Sequence, residues 1–284
     1  MSQARLMDGT GLARRIVDET AKRAADLTER TGVAPCLATV LVGEDPASVT
    51  YVRMKQNRSR KAGIESRHVA LPAGTTTAEL IGTLTELSAD PTVHGILLQH
   101  PMGHHIDERA AFEAIAPEKD VDGVTLASFS AMSFGLPGFA SCTPGGIMRL
   151  LDEYDVDPAG KRAVVVGRSA ILGKPVGMLL LGRDATVTYC HSRTADLSAV
   201  VREADIVVAA VGRPRLIRGE DIKPGAVVVD AGYNPGNIGD VDVDFDSARE
   251  RASLITPVPG GVGPMTIATL LAQTVEAATR QTGA

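Results

Sequence analysis

Val164-Val165-Val166-Gly167-Arg168-Ser169-Ala170-Ile171-Leu172-Gly173-Lys174-Pro175 decides how this chain folds. It reads as a strand, a turn containing glycine, and the start of a helix. That order aims free backbone N–H groups and a helix N-terminus at phosphates. The stretch departs from G-x-G-x-x-G, because Ser169 stands where the second glycine would be and the spacing to Gly173 is longer. The rival reading is an ordinary βα turn.

The end of the next predicted strand sharpens the choice. A site for NAD usually has an acidic residue there to hold the ribose 2′-hydroxyl. This chain has Cys190-His191-Ser192-Arg193-Thr194 instead. The Ser192 hydroxyl and the Arg193 guanidinium suit a 2′-phosphate, and Arg168 in the first turn is placed to join them. If the segment holds a nucleotide, NADP is favoured over NAD. Otherwise Arg193 is a solvated surface charge.

Outward from this stretch, strand-like and helix-like segments alternate. Ala163–Val166, Thr186–Tyr189, Ile206–Ala210, Val227–Asp230 and Leu254–Ile255 read as strands, with helices starting near Lys174 and Asp196. Towards the N-terminus, Cys36–Val42, Arg67–Leu71 and Gly95–Gln99 read as short buried strands. Leu12–Arg30, Ala47–Lys61, Thr77–Leu87 and Glu108–Ile115 read as helices, with Asp8 or Thr10 as a cap for the first. The alternation predicts an α/β fold with mainly parallel sheets covered by helices. Ser128–Gly145 is rich in Ser, Gly, Pro and Phe, lacks periodicity, and marks a domain boundary; Thr143-Pro144 then opens a helix. The expected domains are 1–138 and 139–265, with the final helix, about 266–284, returning to the first.

The bulk properties narrow the function. A chain of 284 residues with 44% hydrophobic and 22% charged residues is long and apolar enough for one large core or two ordinary ones. A net charge of −5 with no Trp and 3% aromatic residues disfavours nucleic acid and anionic membranes as partners. Cys36, Cys142 and Cys190 are odd in number and far apart, with no CxxC pair, so buried thiols in a reducing cytosol are expected rather than disulfides or zinc. His104-His105 suggests a metal, yet adjacent loop residues seldom bind one ion, and no metal is expected. The N-terminus lacks an apolar signal core and no apolar run spans a membrane, so a cytoplasmic protein is expected.

Chemistry-bearing residues lie in the first block. Tyr51 and Lys55 are four apart on a predicted helix and share a face, which pairs an aromatic platform with a primary amine. Gln99 ends a predicted strand, where residues of α/β sheets line a crevice. Asp122 lies in the loop Pro117–Gly123, and a lone loop Asp is more often a cap or turn residue.

Together these residues resemble the bifunctional methylenetetrahydrofolate dehydrogenase/methenyltetrahydrofolate cyclohydrolase family along essentially the whole chain. The matching segments are Tyr51-Val52-x-x-Lys55, Gly95–Gln99, His105–Asp107, Pro117–Gly123, Cys142–Pro144, Gly167–Ser169, Cys190–Ser192 and the long run Thr256–Thr266. The resemblance implies two α/β domains, a folate/catalytic one and a Rossmann-like NADP-binding one, with a folate cleft between them and a homodimeric assembly. It implies NADP-dependent oxidation of 5,10-methylenetetrahydrofolate to the methenyl form, then hydrolysis to 10-formyltetrahydrofolate. It makes Lys55 the catalytic amine, best suited when desolvation lowers its pKa, and Gln99 its hydrogen-bonding partner. Asp122 would grip the amino-pyrimidine edge of the pterin, and Tyr51 would stack on the aminobenzoyl ring. Gly260 and Gly261 would let backbone approach the substrate and cofactor, with Pro264 in the same substrate-binding run. Gly167, Arg168, Ser169, Ser192 and Arg193 would hold the cofactor.

The chain also departs from the family pattern. The usual Leu-Pro-Leu-Pro after the glutamine is His100-Pro101-Met102-Gly103, the usual Lys-Ala after the lysine is Asn57-Arg58, the usual Pro before Cys-Thr-Pro is Ser141, and Tyr233 replaces Ile in Gly232-Tyr233-Asn234. Two rival functions follow. One is a diverged member with a single activity or a modified pterin substrate, supported by His100–Gly103. The other is a non-catalytic folate- or nucleotide-binding protein, against which Tyr51, Lys55, Gln99 and Asp122 stand together.

Overall fold

A computed structural model describes residues 3–43, 46–232 and 241–284, with backbone alone for 46–53. Tyr233 and Asn234 lie outside the described residues, as does the side chain of Tyr51. The chain opens with β1 (Arg5–Leu6), α1 (Gly9–Thr31), β2 (Cys36–Val42), α2 (Pro46–Lys61), β3 (Glu65–Leu71) and α3 (Thr77–Ala89). There follow β4 (Gly95–Leu98), α4 (Glu108–Glu113), α5 (Leu126–Phe134), α6 (Cys142–Glu153), β5 (Arg162–Val166) and α7 (Gly173–Leu181). The rest comprises β6 (Thr186–Cys190), α8 (Leu197–Arg202), β7 (Ile206–Ala209), β8 (Val227–Asp230), α9 (Phe245–Arg249), β9 (Leu254–Ile255) and α10 (Val262–Thr282).

Two compact units result. One groups Arg14–Ala131, Leu136–Ala140 and Ile267–Ala284. Its parallel sheet has the order β3-β2-β4 among the described residues. β2, the central strand, and β4 are buried along their full length, as continuous apolar runs in a parallel sheet covered by helices are. Leu80, Leu84 and Leu87 form the buried stripe of α3 and pack with Val40, Ile96, Leu98 and Phe112. Thr76 caps that helix: its hydroxyl accepts Glu79 N–H at 3.3 Å while Glu79 Oε2 accepts Thr76 N–H at 2.8 Å. The last helix contributes too, since Gln281 Nε2 donates to the His94 carbonyl at 2.8 Å and Arg23 pairs with Glu276 at 2.7 Å.

The other unit groups Met1–Ala13, Met132–Gly135 and Ser141–Thr266. Its parallel sheet has the order β1-β9-β8-β7-β5-β6 among the described residues. Its core is small and β-branched, with Val164, Val166, Val207, Val228 and Ile255 buried together.

Two sequence expectations differ from this structure. Ser128–Gly145, read as irregular, contains most of α5 and the start of α6 at Cys142. Its Ser, Phe and Met residues form a helix whose burial is shallow, so no apolar stripe announces it. The opening residues, grouped by sequence with 1–138, instead join the second sheet: β1 pairs with β9, Arg5 against Leu254 and Leu6 against Ile255. A strand of two residues carries no periodicity to read. Asp8 does cap α1, its Oδ1 accepting Gly11 N–H at 3.0 Å, whereas the Thr10 hydroxyl donates to the Gly260 carbonyl at 3.3 Å.

Candidate active site

Lys55 sits on α2 and Gln99 just beyond β4, where its N–H extends the ladder to the Val40 carbonyl at 2.9 Å. Lys55 Nζ donates to Gln99 Oε1 at 3.0 Å, and Gln99 Nε2 donates to the His100 carbonyl at 2.7 Å. The second bond fixes the amide's orientation. Its NH2 end is taken by a carbonyl, so its oxygen must face the lysine. Both side chains are half-buried. Tyr51 lies one helical turn before Lys55.

The loop that carries Asp122 divides its charged residues between framework and surface. Lys119 is buried and donates to the carbonyls of Asp90 at 2.6 Å and Leu87 at 3.4 Å. Burial lowers its pKa from the usual lysine value. Asp120 is fully buried; it accepts Val124 N–H at 3.1 Å, Thr125 N–H at 2.9 Å and the Ser128 hydroxyl at 2.6 Å. Val121 packs so tightly on Gly95 that a Cβ there would lie 2.7 Å from its Cγ2. Gln273 of α10 donates to the carbonyls of Val121 at 2.7 Å and Ala140 at 3.0 Å. Asp122 is the half-buried carboxylate this framework holds. The sequence does not separate these roles: Ser128 lies in a stretch without pattern, and Gln273 reaches the loop from 152 residues away.

In the other unit, Gly167 has φ +134, and a Cβ on it would lie 2.3 Å from the Ala210 carbonyl oxygen. A Cβ on Gly173 would lie 2.6 Å from the Gly167 carbonyl. The turn between strand and helix is thus packed backbone to backbone, which only glycine allows at both ends. Ser169 Oγ accepts the N–H groups of Leu172 and Gly173, each at 3.2 Å, and so caps the start of α7. Arg168 is exposed beside it. Val166 and Cys190 are register partners, so Arg168 and Ser192, each two residues further on, leave the sheet at one level. Ser192 and Arg193 are exposed in a turn closed by His191 N–H to Thr194 Oγ1 at 2.8 Å and Arg193 N–H to His191 Nδ1 at 3.1 Å. A hydroxyl and two arginines thus follow adjacent strands of one sheet, beside a glycine turn, and are exposed.

Neighbouring loops of this unit are pinned by two buried aspartates. Asp242 accepts the N–H groups of Val211 at 2.6 Å, Gly212 at 3.0 Å and Arg213 at 2.8 Å. Asp230 accepts those of Gly232 and Val243, both at 2.9 Å, and burial pushes its carboxyl up to about 6. Gly260 has φ +111 and its carbonyl accepts Thr10 N–H at 2.9 Å. Gly261 is closed in by Pro257, whose carbonyl oxygen would lie 2.6 Å from an added Cβ. Pro264 lies in the first turn of α10.

Among the described residues, no group of three or more His, Cys, Asp or Glu is arranged for a metal ion. His105 Nε2 lies 3.1 Å from the Thr75 carbonyl. The three cysteines are free and buried, and burial raises the Cys36 and Cys190 thiols. No helix of the described residues is long and apolar enough to cross a membrane.

Comparison with known proteins agrees with both halves. Residues 7–122 match the model of the tetrahydrofolate dehydrogenase/cyclohydrolase catalytic domain, and residues 141–282 that of the NAD(P)-binding domain. The chain is 80% identical over 280 residues to bifunctional protein FolD 1 of Streptomyces avermitilis, covering 99% of this chain and 97% of that one. It is 59% identical over 280 residues to bifunctional protein FolD of Shouchella clausii, covering 99% of each. The structure of the bifunctional dehydrogenase/cyclohydrolase FolD of Campylobacter jejuni superposes with a TM-score of 0.95 at 42% identity, over 98% of this chain and 99% of that one. The Trypanosoma brucei enzyme, complexed with NADP cofactor and inhibitor, gives 0.94 at 39% identity over 100% of both chains.

Proposed function

This chain belongs to the tetrahydrofolate dehydrogenase/cyclohydrolase family, and we propose that it performs both reactions on one-carbon tetrahydrofolates. It oxidises 5,10-methylenetetrahydrofolate to the 5,10-methenyl form, and then hydrolyses that product to 10-formyltetrahydrofolate. The observation that carries this reading is the 3.0 Å bond between Lys55 and Gln99 in a chain that matches both family domains.

In this reading Lys55 is the catalytic amine of the hydrolytic step. It polarises the attacking water and moves a proton near the bridging nitrogen. Gln99 holds it in place. Asp122 accepts the amino-pyrimidine N–H groups of the pterin, Tyr51 stacks on the aminobenzoyl ring, and Gly260, Gly261 and Pro264 border the substrate. Gly167, Arg168, Ser169, Ser192 and Arg193 hold NADP. Bound NADP supplies the hydride acceptor for the oxidation. Ser169 acts by shaping the turn, since its hydroxyl already serves the backbone of residues 172 and 173. Folate chemistry belongs to the 1–138 block apart from its first strand, with the helix of 266–284, and NADP binding belongs to 139–265.

A homodimer in the cytoplasm, with folates rather than nucleic acid as partners, completes the reading. Its support is β6, an edge strand of the sheet, with Tyr189 and neighbouring Leu181 exposed, together with three free thiols and a net charge of −5. The test is turnover of methylenetetrahydrofolate with NADP, following reduced cofactor and methenyl product, with light scattering for the assembly. No reduced cofactor, or methenyl product hydrolysed no faster than it is spontaneously, would refute the bifunctional reading.

A further inference from the structure

We propose that His100 and Glu108 are positioning residues for Lys55, acting through the Gln99 amide; this rests on the reading of Lys55 as the hydrolytic amine. His100 Nδ1 lies 2.9 Å from Glu108 Oε1, which also accepts Met102 N–H at 3.4 Å. The carbonyl of that same His100 accepts Gln99 Nε2, and Gln99 Oε1 accepts Lys55 Nζ. Carboxylate, imidazole with its own carbonyl, amide and amine therefore stand in series.

Each link constrains the next. Glu108 opens α4, a helix capped by Asp107 through Ala110 N–H at 3.0 Å and anchored by buried Ala111 and Phe112. A carboxylate on the first turn of a helix is electrostatically favoured there, so Glu108 is a fixed acceptor. Holding the imidazole on it fixes the backbone of residue 100, and with it the carbonyl that selects the orientation of Gln99. An amide turned end for end would present NH2 to the lysine and break the contact. His100 stands where the family pattern has Leu, so this series belongs to the present chain rather than to the pattern.

A half-exposed His–Glu pair contributes little to folding. Its removal is therefore read at Lys55 rather than in the stability of the fold. The test uses His100→Leu, His100→Asn, Glu108→Ala and the Leu/Ala double variant. Both activities and the melting temperature are measured in each. Asn places an N–H where Nδ1 stands, so it keeps the contact with Glu108.

His100→Leu and Glu108→Ala are each expected to lower kcat for methenyltetrahydrofolate hydrolysis by roughly three- to tenfold, less than the hundredfold that an ångström of misplacement costs. KM and NADP-dependent oxidation should stay within about twofold of the parent, the melting temperature should match the parent's, and His100→Asn should hydrolyse like the parent. The double variant should be no worse than the poorer single one, because the two residues act as one device. Equal loss in the Asn and Leu variants, additive losses, or a parallel fall of both activities would overturn the proposal. So would a Leu variant as fast as a hydrolytically active parent, which leaves the bifunctional reading standing. A parent that hydrolyses nothing removes that reading and the proposal with it. If His100→Leu fails to fold, Glu108→Ala decides alone.

Discussion

Lys55 and Gln99 are 44 residues apart in sequence and 3.0 Å apart in space. One comes from a helix and the other from the end of a neighbouring strand, so the contact exists only in the folded unit. It joins an amine that can move a proton to an amide that cannot.

Replacing Lys55 by Met keeps the length of the side chain and removes the amine. Positioned proton transfer contributes about 10²–10⁴-fold to a rate. Lys55→Met is expected to lose hydrolysis of methenyltetrahydrofolate to about that extent, with a smaller loss of oxidation and an unchanged fold. The assay follows methenyl absorbance, corrected for spontaneous hydrolysis. Parent-like decay in the variant would show that Lys55 is not the amine.

Asp122→Ala removes the acceptor proposed for the pterin. A buried donor left without its acceptor costs on the order of 1–3 kcal/mol, so folate affinity should fall by roughly tenfold or more. Both activities should fall together while NADP binding, read by fluorescence titration, is preserved. Unchanged folate affinity would sink the assignment.

Arg168 and Arg193 are exposed beside Ser192 at the ends of adjacent strands. Charge-assisted contacts to a phosphate contribute roughly 1.5–3 kcal/mol each. Arg168→Ala or Arg193→Ala should therefore raise KM for NADP about tenfold or more and leave NAD nearly untouched. A variant that loses both cofactors equally would place its arginine away from the 2′-phosphate.

Stability should depend on pH through Asp230. Burial raises its folded pKa from 3.8 to about 6, so the folded state binds the proton more tightly than the unfolded chain. The stabilisation linked to that proton is complete below 3.8 and is lost as the pH rises through about 6. Asp230→Asn carries no such titration. Its stability relative to the parent should thus improve by roughly 3 kcal/mol between pH 3.5 and 7, whatever constant offset the lost acceptor adds. Urea unfolding at several pH values measures this, and a flat difference would contradict it. His94 works in the opposite sense. Burial lowers its pKa below 6.5, and its Nδ1 accepts the Cys36 N–H at 3.1 Å, so acid weakens the fold there.

What the sequence disclosed depended on local pattern. Cys36–Val42 and Val227–Asp230 were readable with both ends correct because continuous apolar runs bounded by polar residues are a local signal. The helix Leu126–Phe134 was not readable, because its Ser, Met and Phe residues draw no stripe. In Lys119-Asp120-Val121-Asp122, local pattern supplies two aspartates of equal standing. The family resemblance singles out Asp122, and the fold adds the physical reason: Asp120 is buried and tied to Val124, Thr125 and Ser128, whereas Asp122 is half-buried. The link from His100 to Glu108 was hidden, since a loop residue and a helix residue eight positions apart meet only through the fold.

The pairing of β1 with β9 bears on how the chain is made. Arg5 and Leu6 are synthesised well before their partners Leu254 and Ile255. At about 5–20 residues per second, the opening strand waits on the order of ten seconds or longer for its place in the sheet. During that interval Arg5 and Leu6 have no native strand to pair with. Completion of this sheet therefore waits for the synthesis of β9.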